Sequence, residues 1–152
     1  MVARAPIAVA LVDDDVGDRM LTVRPFSEAG LSNKVVELED GQALLDLLCR
    51  RSPFASTPLP GLVLLDLRMP RLGGREALDQ LRADPRYAEL PVVILTESDD
   101  PQDIRNAYLR GATSYVAKPV TPDAIDRIVV AVDRLSYGFD HNGQRCIADA
   151  AP

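Results

Sequence analysis

Five short apolar runs alternate with longer stretches of helical spacing along the chain. The runs are IAVALV at 7–12, KVVELED from residue 34, LVLLD at 62–66, PVVIL at 91–95 and SYVAK at 114–118. Each run is short enough to be a strand buried on both faces. The helical stretches are 16–29, 41–51, 75–83, 101–110 and 122–135. This alternation predicts an α/β fold in which helices cover both faces of one parallel sheet.

Glycine and proline mark where these elements end. Gly30 and Gly111 follow the first and fourth helical stretches, and SPFASTPLPG at 52–61 predicts a loop before the third strand. Pro25 falls inside the first helical stretch, where the loss of an N–H donor predicts a kink.

Bulk composition narrows the classes of function. The 152 residues suffice for one domain, and the net charge of -6 argues against nucleic-acid binding as the main task. No apolar run is long enough to span a bilayer, and the N-terminal segment lacks the pattern of a signal peptide. Because neither cysteine has a second sulfur or a histidine nearby, we interpret Cys49 as a half-buried apolar residue and Cys146 as a tail thiol. A reducing cytoplasm fits this usage.

Polar side chains stand at four of the five predicted strand ends. Asp13 and Asp14 follow the first strand, Asp66 ends the third, Thr96 follows the fourth and Lys118 ends the fifth. In open parallel sheets, ligands bind beyond the carboxyl ends of the strands. Taken singly, each residue has a plainer explanation as a helix cap, a turn acid, a strand-end hydroxyl or a turn before proline. Their coincidence at one edge of the sheet predicts a functional site.

The side chains at this edge suit phosphoryl transfer. Three consecutive acids, Asp13 to Asp15, repel one another unless a cation lies between them, and Mg²⁺ prefers carboxylate oxygens. Asp66 can act as a nucleophile that forms an aspartyl phosphate. A lysine would neutralise the transferring group and a hydroxyl would bind one of its oxygens.

Four motifs, LVDDD, LVLLDLRMPRLGG, VVILTES and GATSYVAKP, closely resemble those of the receiver domain of two-component response regulators. The resemblance covers about residues 5–135. It implies a flavodoxin-like (βα)5 fold, a doubly wound parallel sheet with strand order 2-1-3-4-5. It also implies phosphotransfer from a histidine kinase to Asp66.

The same resemblance implies roles for individual residues. The expected magnesium ligands are Asp13, Asp14, Asp66 and the backbone carbonyl of Arg68, with Asp14 a direct ligand, and no other cofactor is expected. The expected catalytic set is the phosphoacceptor Asp66 with Thr96 and Lys118, and the expected switch pair is Thr96 and Tyr115. Asp15 is expected to cap the first helix instead of binding the cation.

Further cues resemble the single-domain response regulators of bacterial phytochrome-type histidine kinases. They are VDDDVGDRML, GREALDQLRADPRYAELPVVILT, the longer loop before the third strand and the tail after the fifth helix. A phytochrome-type kinase is therefore the expected phosphodonor.

Two residues depart from the common receiver pattern. Arg68 stands where relatives often carry an uncharged polar residue, and we hypothesise that it slows loss of phosphate by obstructing water. A solvated Arg68 that points away is the alternative, and Arg68→Asn tests the two. Glu97, after Thr96, is bulkier than usual and is expected either to pair with Arg68 or to restrict access to the site.

The domain organisation predicted is a receiver at 1–135 and an extension at 136–152, a tail or a dimerisation arm. The extension is too short for an output domain, so the protein is expected to signal by docking to an unknown downstream protein. Val130 and Ala131 extend the apolar arc of the fifth helix, which suits a partner helix or a homodimer through the helix 4–strand 5–helix 5 face and the C-terminal tail. Tyr137 and Phe139 are expected either to anchor that arm or to lie in a frayed terminus.

The protein is not expected to be an enzyme beyond its own phosphorylation and dephosphorylation. Three other functions are alternatives to that of a phosphoacceptor. A degenerate, phosphorylation-independent interaction module is disfavoured by the intact Asp14, Asp66, Thr96 and Lys118. A Mg-dependent phosphatase with an Asp nucleophile would place a second acid where Arg68 stands. A flavin-binding relative lacks its phosphate loop after the first strand. The single histidine, His141, has no companions for a metal site or an internal relay.

Overall fold

The strands of this protein form one large sheet and one small hairpin. The computed structural model describes residues 2–69 and 72–150. The strands are β1 (Ala8–Val12), β2 (Val35–Leu38), β3 (Pro60–Asp66), β4 (Val92–Thr96), β5 (Ser114–Ala117), β6 (Leu135–Phe139) and β7 (Arg145–Asp149). The helices are α1 (Val16–Glu28), α2 (Gly41–Leu48), α3 (Gly74–Ala83), α4 (Pro101–Leu109) and α5 (Pro122–Ala131), with a 3₁₀ turn at Pro85–Tyr87.

The large sheet is parallel, and its strand order is β2-β1-β3-β4-β5. The predicted α/β fold with flavodoxin-like strand order is therefore confirmed. Successive residues of a strand point to opposite faces, and both faces of the central strands β1, β3 and β4 are buried. Val9 and Leu11 of β1 pack in one apolar cluster with α1 and α5, whereas Ala10 and Val12 pack in a second with α2 and α3.

The helices begin at capping residues that the sequence makes recognisable. Asp15 caps α1 by accepting a hydrogen bond from the backbone N–H of Asp18 at 2.9 Å, as predicted. Pro25 lies inside α1, and Gly30 follows the helix with a φ of +69°. Among the described residues, no helix combines the length and the apolar character that crossing a bilayer requires.

The fifth helix is shorter than predicted. It ends at Ala131, and Val132 is extended at φ -100° and ψ 108°. Val132 gives up little by leaving the helix, because the helix propensity of a β-branched residue is low. Val132 and Leu135 instead bury their side chains in the cluster that α1 and α5 share.

The segment after α5 folds into the antiparallel hairpin β6–β7, which the sequence analysis missed. Its turn holds Asn142 and Gly143, the latter at a φ of +75°, a pairing typical of hairpin turns. The boundary predicted at residue 135 falls on the first residue of β6. A frayed terminus is wrong for this segment up to Asp149.

The hairpin packs on the segment before β1 and on α5 of its own chain. The Ile7 N–H donates to the Ile147 carbonyl at 3.0 Å, and Ile147 is fully buried in the core. The Tyr137 hydroxyl donates to Asp126 of α5, whereas Phe139 is 43% exposed.

Both cysteine interpretations are wrong in burial. Cys49 follows α2 and is exposed, whereas Cys146 of β7 is fully buried. Cys146 was expected in a tail because the β6–β7 hairpin was not predicted, although its Asn142-Gly143 turn is a local signal of a hairpin. Both are free thiols.

Candidate functional site

The predicted site residues meet at the carboxyl end of the large sheet. Asp13 follows β1, Asp66 ends β3 and Thr96 ends β4, and all three side chains are buried. Asp14 is exposed beside them, and Lys118 follows β5. Parallel strands present these ends on one side, so residues up to 105 positions apart in sequence come into contact.

Lys118 is the centre of the charge arrangement. Its Nζ donates to Asp13 Oδ2 at 2.8 Å, and to Asp18 Oδ2 and Asp66 Oδ2 at 3.1 Å each. Burial alone lowers the pKa of Lys118, but the hydrogen bond to Asp13 and the other two carboxylates raise it above its ordinary value. The ammonium therefore stays charged at neutral pH.

Asp66 is a buried carboxylate held in a fixed orientation. Its Oδ1 accepts a hydrogen bond from the backbone N–H of Arg68 at 3.0 Å. Burial raises the pKa of Asp66, and Asp13 raises it further. The Arg68 N–H and Lys118 lower it without cancelling the rise.

The turn after Asp66 is packed tightly against α3. A Cβ on Gly74, the first residue of α3, would lie 2.3 Å from the Asp66 carbonyl oxygen. A larger residue would therefore push the helix away from the strand end that carries Asp66.

Three carboxylates form a candidate cation site. Asp13, Asp14 and Asp66 each offer an oxygen atom, and these atoms lie within 4.8 Å of one another. The Asp15 N–H donates to Asp13 Oδ1 at 2.9 Å, which orients that carboxylate. Hard carboxylate oxygens of this number fit Mg²⁺ or Mn²⁺. The Arg68 carbonyl stays a predicted ligand.

Thr96 and Tyr115 lie on neighbouring strands. Thr96 Oγ1 accepts a hydrogen bond from the Ser98 N–H at 3.0 Å, and Ile94 of β4 is paired with Tyr115 of β5. Burial raises the pKa of Tyr115, as do the charges of Asp103 and Asp99. Within the described residues, the buried Tyr115 hydroxyl meets no partner in hydrogen-bond geometry. Thr96 lies near enough to lower the pKa of Tyr115, but it does not cancel the rise.

The two residues that depart from the receiver pattern, Arg68 and Glu97, are both exposed. Across 2–69 and 72–150, no ion pair joins them, so the predicted Arg68–Glu97 pair is wrong for this structure. Glu97 instead lines a cavity of about 330 Å³ beside the site, together with Asp18, Lys118 and their neighbours on α1. Its predicted effect on access to the site stays open.

Asp18 is the site residue that the sequence analysis missed. It lies in the first turn of α1, three residues after the cap Asp15, and contacts Lys118 across 100 residues of sequence. An acid at the start of a helix is common, because it complements the helix dipole. The position of Asp18 in the first turn of a helix is thus enough to explain an acid there. Nothing in the sequence indicates its contact with Lys118.

Comparisons with known proteins show which family and which solved structures this chain is similar to. A family model described as the response regulator receiver domain matches residues 9–130. The probable methanogenesis regulatory protein FilR2 of Methanothrix harundinacea is 35% identical over 140 residues, covering 92% of this chain and 90% of that protein. The bacteriophytochrome response regulator RtBRR is 33% identical with a TM-score of 0.76, covering 85% of this chain and 79% of that one. The Mn(2+)-bound form of the response regulator Rcp1 is 28% identical with a TM-score of 0.69, covering 81% and 89%.

Proposed function

Because this chain belongs to the response regulator receiver domain family, we propose that it accepts a phosphoryl group on Asp66 from a histidine kinase. The observation that carries the proposal is the environment of the Asp66 carboxylate. It is buried, its Oδ2 lies 3.1 Å from Lys118 Nζ, and an oxygen of it lies within 4.8 Å of oxygens of Asp13 and Asp14. This environment brings together a nucleophilic carboxylate, the positive charge of Lys118 and three carboxylates that can bind a metal ion.

In the proposed reaction, an Asp66 oxygen forms a bond to the phosphorus of a phosphohistidine. The bond from phosphorus to the histidine nitrogen breaks, and its electron pair stays on that nitrogen. Lys118 would donate a hydrogen bond to one phosphoryl oxygen and Thr96 to another, which lowers the cost of placing the group among carboxylates.

The proposed cation ligands are Asp13, Asp14, Asp66 and the Arg68 carbonyl. The three carboxylates fit a hard divalent cation in type and in proximity. Bound Mg²⁺ would supply positive charge next to the phosphoryl oxygens. The Mn(2+)-bound form of Rcp1, a similar response regulator, supports this part of the proposal.

The proposed readout is a shift of the surface formed by α4, β5 and α5. Thr96 would move toward the phosphoryl group, and Tyr115, already half-buried in the neighbouring strand, would follow it. Tyr108, Leu109 and Val130 are exposed on α4 and α5, and they would meet a downstream protein or a second protomer.

The proposed phosphodonor is a phytochrome-type histidine kinase, since the bacteriophytochrome response regulator RtBRR is among the most similar structures. We place the reaction in a reducing cytoplasm, in keeping with two free cysteines. The proposal includes neither nucleic acid nor membrane as a partner. Arg68, whose side chain is exposed, stays a candidate for slowing loss of phosphate.

The test is incubation with Mg²⁺ and a small acyl-phosphate donor, followed by intact-mass measurement. We expect a mass increase of a single phosphate that is labile at high pH. Asp66→Asn and a magnesium-free sample are the controls, and the adduct should be absent from both. An adduct that persists in Asp66→Asn would contradict the assignment of the phosphoacceptor.

If no adduct forms, the second measurement is binding of a phosphate mimic such as beryllofluoride with Mg²⁺. Binding would indicate that phosphorylation demands the kinase itself. Failure of both measurements would favour the phosphorylation-independent interaction module, with Arg68 and Glu97 as the first residues to substitute.

A further inference from the structure

Asp18 is the third carboxylate on the Lys118 ammonium, and it comes from a different element than the other two. Asp13 and Asp66 lie at strand ends, whereas Asp18 lies on α1. The Lys118 side chain is only 10% exposed, and its Nζ donates to all three carboxylates. An ammonium has three protons, so each carboxylate accepts one.

Asp18 differs from Asp13 and Asp66 because it takes no part in cation binding or phosphorylation as proposed. Asp13 and Asp66 belong to the candidate cation site, and Asp66 is the proposed phosphoacceptor. Asp18 belongs to neither, and its side chain is 36% exposed. Cation binding and phosphorylation would therefore change the contacts of Asp13 and Asp66. The contact between Asp18 and Lys118 would stay in place.

The backbone of Asp18 is itself fixed. Its N–H donates to the carboxylate of the cap Asp15 at 2.9 Å, which holds the first turn of α1. The carboxylate that reaches Lys118 thus stands on a rigid element, as accurate positioning of a charged group requires.

We propose that Asp18 is a positioning residue of the phosphotransfer site, which holds the Lys118 ammonium from the α1 side while Asp66 changes from carboxylate to acyl phosphate. The inference rests on the proposed function. Without Asp18, the Nζ of Lys118 loses the one anionic partner that the reaction leaves untouched. The ammonium then adopts several positions, and fewer of them reach the phosphoryl oxygens.

The test compares Asp18→Asn with Glu97→Gln. Glu97 lines the same cavity as Asp18 and Lys118, and within the described residues it makes no ion pair or hydrogen bond with Lys118. Each variant removes one negative charge beside the site, but only Asp18→Asn removes a partner of Lys118. Adduct formation with phosphoramidate and Mg²⁺ is followed by mass spectrometry over a range of donor concentrations, so that maximal rate and KM are separated.

We expect Asp18→Asn to lower the maximal rate about tenfold, as misplacement of a transition-state contact does. Its KM should not rise, because loss of a negative charge weakens the repulsion of an anionic donor. Glu97→Gln should keep the maximal rate, and any effect of Glu97 on access to the site should appear in KM alone. Asp18→Glu, which keeps a carboxylate within reach of Lys118, should restore most of the rate.

A double-mutant cycle shows whether Asp18 acts through Lys118. In a Lys118→Gln background, the further change Asp18→Asn should leave the residual rate unchanged. The inference is overturned if Asp18→Asn matches Glu97→Gln, or if its loss of rate persists without Lys118. A wild-type protein that forms no adduct and binds no beryllofluoride would instead overturn the proposed function, and this inference with it.

Discussion

Asp66 is the residue on which burial and charge act most directly against each other. Burial raises its pKa, while the Arg68 N–H and Lys118 only partly offset that rise. Ionised Asp66 is thus less stable in the folded protein than in water. A carboxylate in this condition gains from binding a cation, which fits the acidic cluster around it.

The raised pKa of Asp66 predicts a pH-dependent penalty on stability in the absence of divalent cations. Below the ordinary value of 3.8, Asp66 is protonated in the folded and the unfolded chain, and it carries no penalty. As the pH rises through the raised pKa, ionising Asp66 costs more free energy in the folded protein than in the unfolded chain, so the free energy of unfolding falls. Asp66→Asn, which cannot ionise, should therefore be more stable than wild type at pH 7 in chelator, with the gap closing toward low pH.

Urea unfolding at several pH values measures this gap. Glu97→Gln is the control, because an exposed side chain should change the free energy of unfolding by less than about 0.5 kcal/mol. An Asp66→Asn protein that is less stable than wild type at pH 7 would show that the contact with Lys118 outweighs burial.

The Tyr115 hydroxyl supplies a second prediction at this scale. It is buried and meets no partner in hydrogen-bond geometry in the described part of the chain, and Thr96 offsets its desolvation only in part. Tyr115→Phe should raise the free energy of unfolding by about 1 kcal/mol. Thermal and urea unfolding measure it, and a loss of stability would mean that the hydroxyl has a partner.

Among the elements, the β6–β7 hairpin is attached in part through the buried side chain of Asn33. Asn33 Nδ2 donates to the carbonyls of Ile7 and Ile147 at 2.8 Å each, and its Oδ1 accepts from the Ile147 N–H at 2.8 Å. An amide side chain that serves as donor and acceptor thus joins the segment before β1 to β7. The Ile147 carbonyl also accepts from the Ile7 N–H, whereas the Ile147 N–H donates to Asn33 Oδ1.

Asn33→Ala should lower the free energy of unfolding by about 2 to 3 kcal/mol, because the buried Ile147 N–H loses its acceptor. Asn106→Ala is the matched control, since Asn106 is exposed on α4 and, among the residues that the structure describes, its side chain bonds only Gln102. Hydrogen exchange should show faster exchange in β6 and β7 first. Equal unfolding curves for the two variants would show that apolar packing alone holds the hairpin.

At the scale of the whole molecule, cation binding should stabilise the fold because the three carboxylates come together only when β1 and β3 are paired. A ligand that binds only the folded state adds about 2.7 kcal/mol at a hundredfold excess over Kd. Wild type should gain this stability in Mg²⁺, seen as a rise in Tm. Asp14→Asn should lose most of the gain.

Asp15→Asn is the control for charge in that measurement. It removes a neighbouring carboxylate but keeps the cap of α1, since Asn caps helices as well as Asp does. Its response to Mg²⁺ should match wild type. A full response in Asp14→Asn would contradict the proposed role of that residue.

Local patterns were sufficient to predict the large sheet and the carboxyl-end residues. The apolar runs that become β1, β3 and β4 can be recognised as strands without knowing which strands they pair with. Both faces of each strand are buried, so few polar residues interrupt these runs. Asp66 and Thr96 follow from where those runs end. The family motifs then implied the strand order, which the structure confirms.

The sequence by itself thus determined the five βα units, the family and the position of the acidic edge, since each depends on residues adjacent in the chain. Tertiary structure alone decided the end of α5, the hairpin on the core and the contact of Asp18 with Lys118. In these three cases the deciding partners are distant in sequence, Asn33 and Ile147 being 114 residues apart. Long-range burial and hydrogen bonding outweighed local propensity there, because they satisfy buried groups that no neighbour in the chain can reach.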